Sequence, residues 1–234
     1  MSDILVVAKK ELKELCLLRG VAWAAFQLLI TIGIFGVLLP LSEPDQWAEG
    51  HPLLALHFIL IPLLLTSPNV ADALAGERER KTIETLLTTP LDTKAILVGK
   101  GLSIFVFSYA QVLLVVAAGL ASLNLYFRME YARWVLYPRA GLFAVFFVSA
   151  ALVGLATVSG VFASMRAPSV RTAHRIAQVA NLVVLLLILV GVIKVWSTWR
   201  AVLTTFAVVC VLNLALGAAA LLSFRRERLI VAGP

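Results

Sequence analysis

Six stretches of this sequence carry no Asp, Glu, Lys or Arg: residues 20–42, 50–71, 101–127, 140–165, 176–193 and 201–224, each 18 to 27 residues long. A helix rises about 1.5 Å per residue and the hydrocarbon core of a bilayer is about 30 Å thick, so a run of about 20 apolar residues is what crossing it requires. In lipid every backbone polar group has to be satisfied within the protein, which makes helix the form such runs take. The chain is therefore expected to be all-α, an integral membrane protein with six transmembrane helices. The runs use 140 of the 234 residues, which leaves no room for a separate globular domain, so residues 1–234 are read as one transmembrane domain. Only 14% of the chain is charged, against about 25% in an ordinary soluble domain, and the soluble classes are set aside.

Orientation follows from the cations, because short loops rich in Lys and Arg stay in the cytoplasm. With the N-terminus inside, the inner segments hold fifteen of the twenty Lys and Arg residues, and the outer loops hold Arg128, Arg133, Arg139, Lys194 and Arg200. Both termini are expected to be cytoplasmic, and the acidic loop with Glu43, Asp45 and Glu49 falls outside. The net charge of +7 is then mostly a topology signal. Its partner is the anionic face of a lipid bilayer, and no nucleic acid is expected.

Residues 3–19 precede the first span and are too charged to insert. Leu5, Ala8, Leu12, Leu15 and Leu18 recur on one face while Lys9, Lys10, Lys13 and Glu14 occupy the other, the pattern of an amphipathic helix lying on the inner leaflet. The second span contains Pro52, Pro62 and Pro68, and a static kink is the expected result. After the third span, Tyr126, Phe127, Tyr131, Trp134 and Tyr137 are interleaved with three arginines, which is read as an interfacial aromatic belt.

The most polar interruption runs from Ala75 to Lys100 and carries eight of the 33 charged side chains between Glu77 and Lys94. Glu77 and Lys81, and Arg80 and Glu84, are opposite charges four residues apart, and Leu74, Ile83, Leu86 and Leu87 gather on one face. Thr88-Thr89-Pro90 ends that helix, and Asp92 and Thr93 suit the cap of the next. The expectation is a short amphipathic helix at the cytoplasmic surface between spans two and three.

No catalytic constellation is legible. Gly76 to Thr82 has the first glycine and the final Lys-Thr of a phosphate-binding loop but lacks the second glycine, so the chain is not expected to bind ATP itself. His51, His57 and His174 lie in different segments and predict no shared metal site, and Cys16 and Cys210 predict no disulfide. No carboxylate pair is legible at membrane depth to serve an intramembrane enzyme or a proton relay. Gln27, Gln111, Asn181 and Asn213 are the notable polar residues within the spans; helix-to-helix hydrogen bonds are their default role and the lining of a transport path the alternative.

The stretch GERERKTIETLLTTPLDTKAILVGK closely resembles the cytoplasmic signature of type-2 ATP-binding-cassette (ABC) permeases. Glu77, Glu79, Thr82, Glu84, Leu86, Leu87, Pro90, Gly99 and Lys100 stand where that pattern asks, and Lys81 stands where many members have glycine. The resemblance extends to the amphipathic N-terminal helix, the six spans and the inner ends. The outer link between spans five and six is shorter than in many members, and no outer gate is read from it. The resemblance implies a coupling helix that docks on a separate ABC ATPase subunit, with Glu77, Arg78, Glu79, Arg80, Lys81, Thr82, Glu84, Leu86, Leu87 and Pro90 as the binding segment. It implies a permease subunit in the plasma membrane of a bacterium or archaeon, paired with a second permease in a homodimer or heterodimer and with two ATPase copies. ATP and Mg would be held by the partner, this chain would be no enzyme and bind no cofactor, and the direction would be export. A non-transporting anchor or assembly subunit for an ATPase is the alternative, with an intramembrane enzyme behind it. The mostly apolar spans lean toward a hydrophobic or amphipathic cargo.

Overall fold

The computed structural model describes residues 3–17, 21–49, 52–71, 75–79, 93–167, 169–192 and 199–223, and among them every regular element is helical. Helix α1 is Asp3–Leu17 and α2 is Val21–Thr31. A π-helical stretch, Ile32–Leu38, carries α2 into α3, Leu39–Ser42. The short α4, Pro44–Glu49, precedes α5, Pro52–Ala71, and α6 is Ala75–Glu79. The long α7 is Thr93–Tyr131. Helix α8, Arg139–Phe143, runs through a second π-helical stretch, Ala144–Val148, into α9, Ser149–Arg166; α10 is Val170–Val192 and α11 is Trp199–Ser223.

Among the described residues five segments are long and apolar enough to cross a membrane: Ala25–Ser42, Phe58–Glu77, Ala95–Tyr131, Arg139–Met165 and Trp199–Leu222. They cover the first four expected runs and the sixth. The fifth run falls on α10, Val170–Val192, which forms as a helix whose first turns carry Arg171, His174 and Arg175. The third span is longer than its charge-free run. With 39 residues α7 extends about 58 Å, starting at the expected Thr93 and running through Lys100 to Tyr131.

Helix α9 is the hub, packing on α5, α7, α10 and α11. Its Ala156, Gly160 and Ser164 form a stripe of small residues at four-residue spacing, the pattern that lets membrane helices approach closely. The buried core runs from Trp47, Phe58 and Ile61 through Val112, Val115 and Leu123 to Val148, Leu152 and Val209. Buried residues make up 71% of the second span but 17% of the first and last, so α5 is central and α2 and α11 are peripheral.

Helix α5 continues through Pro62 and Pro68. These prolines remove the N–H groups that would serve the carbonyls of Phe58 and Leu64. Side chains bond the turns around them: Thr66 Oγ1 donates to Pro62 O at 2.6 Å and Ser67 Oγ to Leu63 O at 2.9 Å.

At the far end of α7 the chain reverses at Ala132, whose φ of 52° is left-handed. Asn124 Oδ1 accepts the N–H of Val135 at 2.9 Å and draws the returning segment back onto the helix. The expected aromatic belt divides there. Phe127 and Tyr137 are buried in the core, and Tyr137 meets Phe58 edge-on at 5.8 Å. Tyr131 and Trp134 remain exposed, with Arg128 over Trp134 at 5.0 Å.

The N-terminal helix does not present the face its sequence pattern suggests. Val7, Glu11 and Leu15 are buried while Leu5 is half exposed, because α1 lies against α7. Gly99 makes this possible: a β-carbon there would stand 2.8 Å from Val7 Cβ.

Candidate functional site

The segment expected to form a coupling helix begins as α6, Ala75–Glu79. Its remaining candidate residues, Arg80, Lys81, Thr82, Glu84, Leu86, Leu87 and Pro90, lie outside the described residues, as does the side chain of Arg78. What the structure describes is the root of the segment and how the membrane domain grips it.

Ala75 is buried among Ala167 and Ala173, small residues that let α6 lie close to the end of α9 and the start of α10. The Ala75 N–H donates to Ser164 Oγ at 2.8 Å, so one of the orphan donors at the start of α6 is satisfied from α9. Glu79 Oε1 accepts the Val170 N–H at 2.9 Å, which puts a carboxylate at the N-terminus of α10 where free N–H groups and the helix dipole favour negative charge. Ser169 Oγ accepts the N–H of Thr172 at 3.2 Å and completes that cap.

Lys100 supplies the fourth hold. Its Nζ donates to Glu77 Oε1 at 2.8 Å and to Glu11 Oε1 at 2.7 Å, and its side chain is 2% exposed against 13% for Glu77 and 10% for Glu11. Three elements therefore meet at one ammonium: α1 through Glu11, α6 through Glu77 and α7 through Lys100. The field of this cluster reaches the surface of α1. Partial burial works against charge on Lys10, but its hydrogen bond and Coulombic attraction to Glu14, with Glu11 and Glu77 adding, raise its ammonium above the ordinary 10.5.

The four span amides fall in three places. Gln27 and Asn181 line one cavity of 440 Å³ between α2, α5 and α10, together with Ser67, His174 and Gln178. Asn181 Nδ2 donates to Ser67 Oγ at 2.9 Å across that cavity wall. Gln111 lies in the seam between α5 and α7, where Asn69 Nδ2 donates to Ser108 Oγ at 3.1 Å and reaches Gln111 Oε1 at 3.5 Å. Asn213 is in the seam of α9 and α11, its Nδ2 shared between Ala151 O at 2.8 Å and Val209 O at 2.9 Å.

His174 and Gln178 were missed as cavity residues, and their signal was present. With Asn181 they repeat at four and three residues along α10, a polar stripe on one helical face. A second cavity, of 320 Å³ between α7, α9 and α11, is lined almost wholly by aliphatic side chains and by Gly101, Gly154 and Gly217. Among the described residues no cluster of three His, Cys, Asp or Glu is placed to hold a metal ion.

Residues 3–209 match the family described as ABC-2 type transporter. Over 76 residues the chain is 40% identical to the ABC transporter permease protein NatB of Bacillus subtilis (strain 168), a stretch that is 30% of this chain and 19% of that protein. The matched part thus spans about a fifth of that relative's length.

Proposed function

The chain belongs to the ABC-2 type transporter family, and from that membership we propose that it is the membrane-spanning permease subunit of an ABC transporter, coupling ATP hydrolysis on a separate ATPase to export of a substrate. The working unit pairs two permeases, as a homodimer or heterodimer, with two ATPase copies that carry ATP and Mg. It sits in the plasma membrane of a bacterium or archaeon as one domain of six spans, α10 being the fifth, with both termini cytoplasmic. The segment from Glu77 to Pro90 is the docking element, its partner surface formed by Arg78, Arg80, Lys81, Thr82 and Glu84, and Leu86 and Leu87 seat it.

The observation that carries this reading is the grip on the root of that segment. Ala75, Glu77 and Glu79 bond to α9, to the Lys100 cluster and to α10 respectively. A force applied beyond Glu79 therefore has rigid routes into three membrane helices, which is what a rigid-body switch between inward and outward exposure needs. The cavity of 440 Å³ containing Gln27 and Asn181 is our candidate for one wall of the transport path. Its aliphatic lining with a few amides suits an amphipathic cargo.

The test is co-purification from mild detergent of the tagged chain with its ATPase, before and after the triple charge reversal R78E, R80E and E84K. Loss of the ATPase while the membrane protein stays monodisperse supports docking at this segment. Equal recovery from both forms overturns it. Substrate-stimulated hydrolysis by the reconstituted complex then separates a transporter from a subunit that only anchors an ATPase.

A further inference from the structure

No motif gives a role to Glu11, yet it shares Lys100 with Glu77. We propose that Lys100, held between these two carboxylates, locks the N-terminal helix and the root of the coupling segment to the third span so that the three move as one body, with Glu11 the positioning residue that carries α1.

The three groups come from distant parts of the chain. Lys100 is 89 residues from Glu11 and 23 from Glu77, so the cluster forms only when α1, α6 and α7 have all docked. An ammonium enclosed to this degree has to be paired. It has three donors, and two of them serve the two carboxylates. Withdrawing either helix would strand buried charge on the other two, so the docking of α1 and that of α6 support each other.

The backbone is arranged to permit this. Val7, Glu11 and Leu15 repeat at four residues and form the stripe of α1 that faces α7. Val7 rests on Gly99, where any larger residue would collide with it. Leu15 closes the other side against Leu97, Ile104, Val70 and Val161. Glu11 lies between these two apolar contacts and is aimed at Lys100.

Apolar residues would fill such a site at similar or better stability. What an ion cluster adds is direction: it fixes the register of three helices through donor geometry where apolar contact alone would let them slide. The outer face of α1 carries Lys9, Lys10 and Lys13, suited to anionic headgroups. Displacement of α6 is thereby delivered to the membrane surface as well as to α7. The source of that displacement rests on the permease reading; the lock itself does not.

The test uses the full chain in lipid nanodiscs, with Cys16 and Cys210 replaced by serine and spin labels at the exposed Val6 and Met129, at opposite ends of the α1–α7 unit. Gly99 and Met129 are about 45 Å apart along α7, within reach of a pulsed electron-spin distance measurement. The parent and K100R are expected to give one narrow distribution, unchanged when ATPase, ATP and vanadate are added. K100M and E11K are expected to broaden it about twofold or more, as a helix end released from its anchor does. The exchange E11K with K100E again places one ammonium with two carboxylates, and it is expected to restore the narrow distribution. Should K100M not be recovered from the membrane, E11K and its exchange partner decide alone.

Narrow distributions in both K100M and E11K, or failure of the exchange to restore what E11K lost, overturns the lock. A parent distance that changes with nucleotide overturns the single moving body. All measurements without nucleotide need no ATPase, so loss of the docking reading would leave them standing.

Discussion

Gly160 on α9 and Val70 on α5 approach so closely that a β-carbon at position 160 would stand 2.4 Å from Val70 Cγ1. No real β-carbon tolerates that distance, and the obstacle is a β-branched side chain with little freedom to rotate. The central helix and the hub helix thus meet where a glycine and a valine interlock, between the small residues Ala156 and Ser164. Overpacking such a contact costs about 1–3 kcal/mol. G160A is expected to lower the unfolding temperature of the detergent-purified protein, and V70A in the same chain to recover much of the loss. A G160A protein as stable as the parent would show that the helices separate without cost.

Tyr137 gives a prediction of opposite sign. Its hydroxyl is buried and has no hydrogen-bond partner among the described residues, and a β-carbon on Gly119 would stand 3.1 Å from it. Burial accordingly pushes its phenol above the ordinary 10. A buried hydroxyl without a partner carries a desolvation penalty of about 1–3 kcal/mol. Y137F keeps the edge-on contact with Phe58 and removes the penalty, so it is expected to raise the unfolding temperature. A clear fall would mean that the hydroxyl is bonded.

The separation of the span amides predicts different solvent access. On a background without Cys16 and Cys210, Q27C and N181C are expected to react with a membrane-impermeant maleimide at least about tenfold faster than N213C, because a thiol is reactive where water admits its thiolate. Q111C is expected to follow N213C, since Gln111 lies in the seam of α5 and α7 and does not line that cavity. Replacing Asn213 by leucine should act on stability, through the bonds to Ala151 O and Val209 O, and leave transport per folded molecule unchanged. Equal labelling at all four positions would remove the cavity from the candidate path.

The reach of the sequence can be judged from the same residues. Spans appear as charge-free runs because charge is costly in lipid, and that rule located five of the helices. It gave no sign of the pairing at Lys100, because a charge neutralised by partners 89 and 23 residues away leaves no local mark. Glu11 was hidden for the same reason: its neighbours Lys10 and Glu14 are solvent-facing and pair with each other at 3.3 Å. Tyr137 looked interfacial because aromatic residues near Arg usually are, and only the reversal at Ala132 turns it into the core. The grip of Ser164 on Ala75 is a contact between serine and backbone, which no side-chain pattern announces.

Glu79 is where a role inside the membrane domain and a role in docking can be told apart. Its carboxylate caps α10 through the Val170 N–H, and losing a capping side chain costs about 0.5–2 kcal/mol. E79A is expected to lower stability within that range and to speed backbone hydrogen exchange over the first turn of α10. E79Q keeps an acceptor oxygen and loses only the charge–dipole part, about 0.3–1 kcal/mol. If Glu79 serves the cap, the partner ATPase should co-purify with E79Q as well as with the parent, while the reversals at Arg78, Arg80 and Glu84 release it. Loss of the ATPase from E79Q with exchange at α10 unchanged would instead assign this carboxylate to the partner, and the route from the coupling segment into α10 would have to be abandoned.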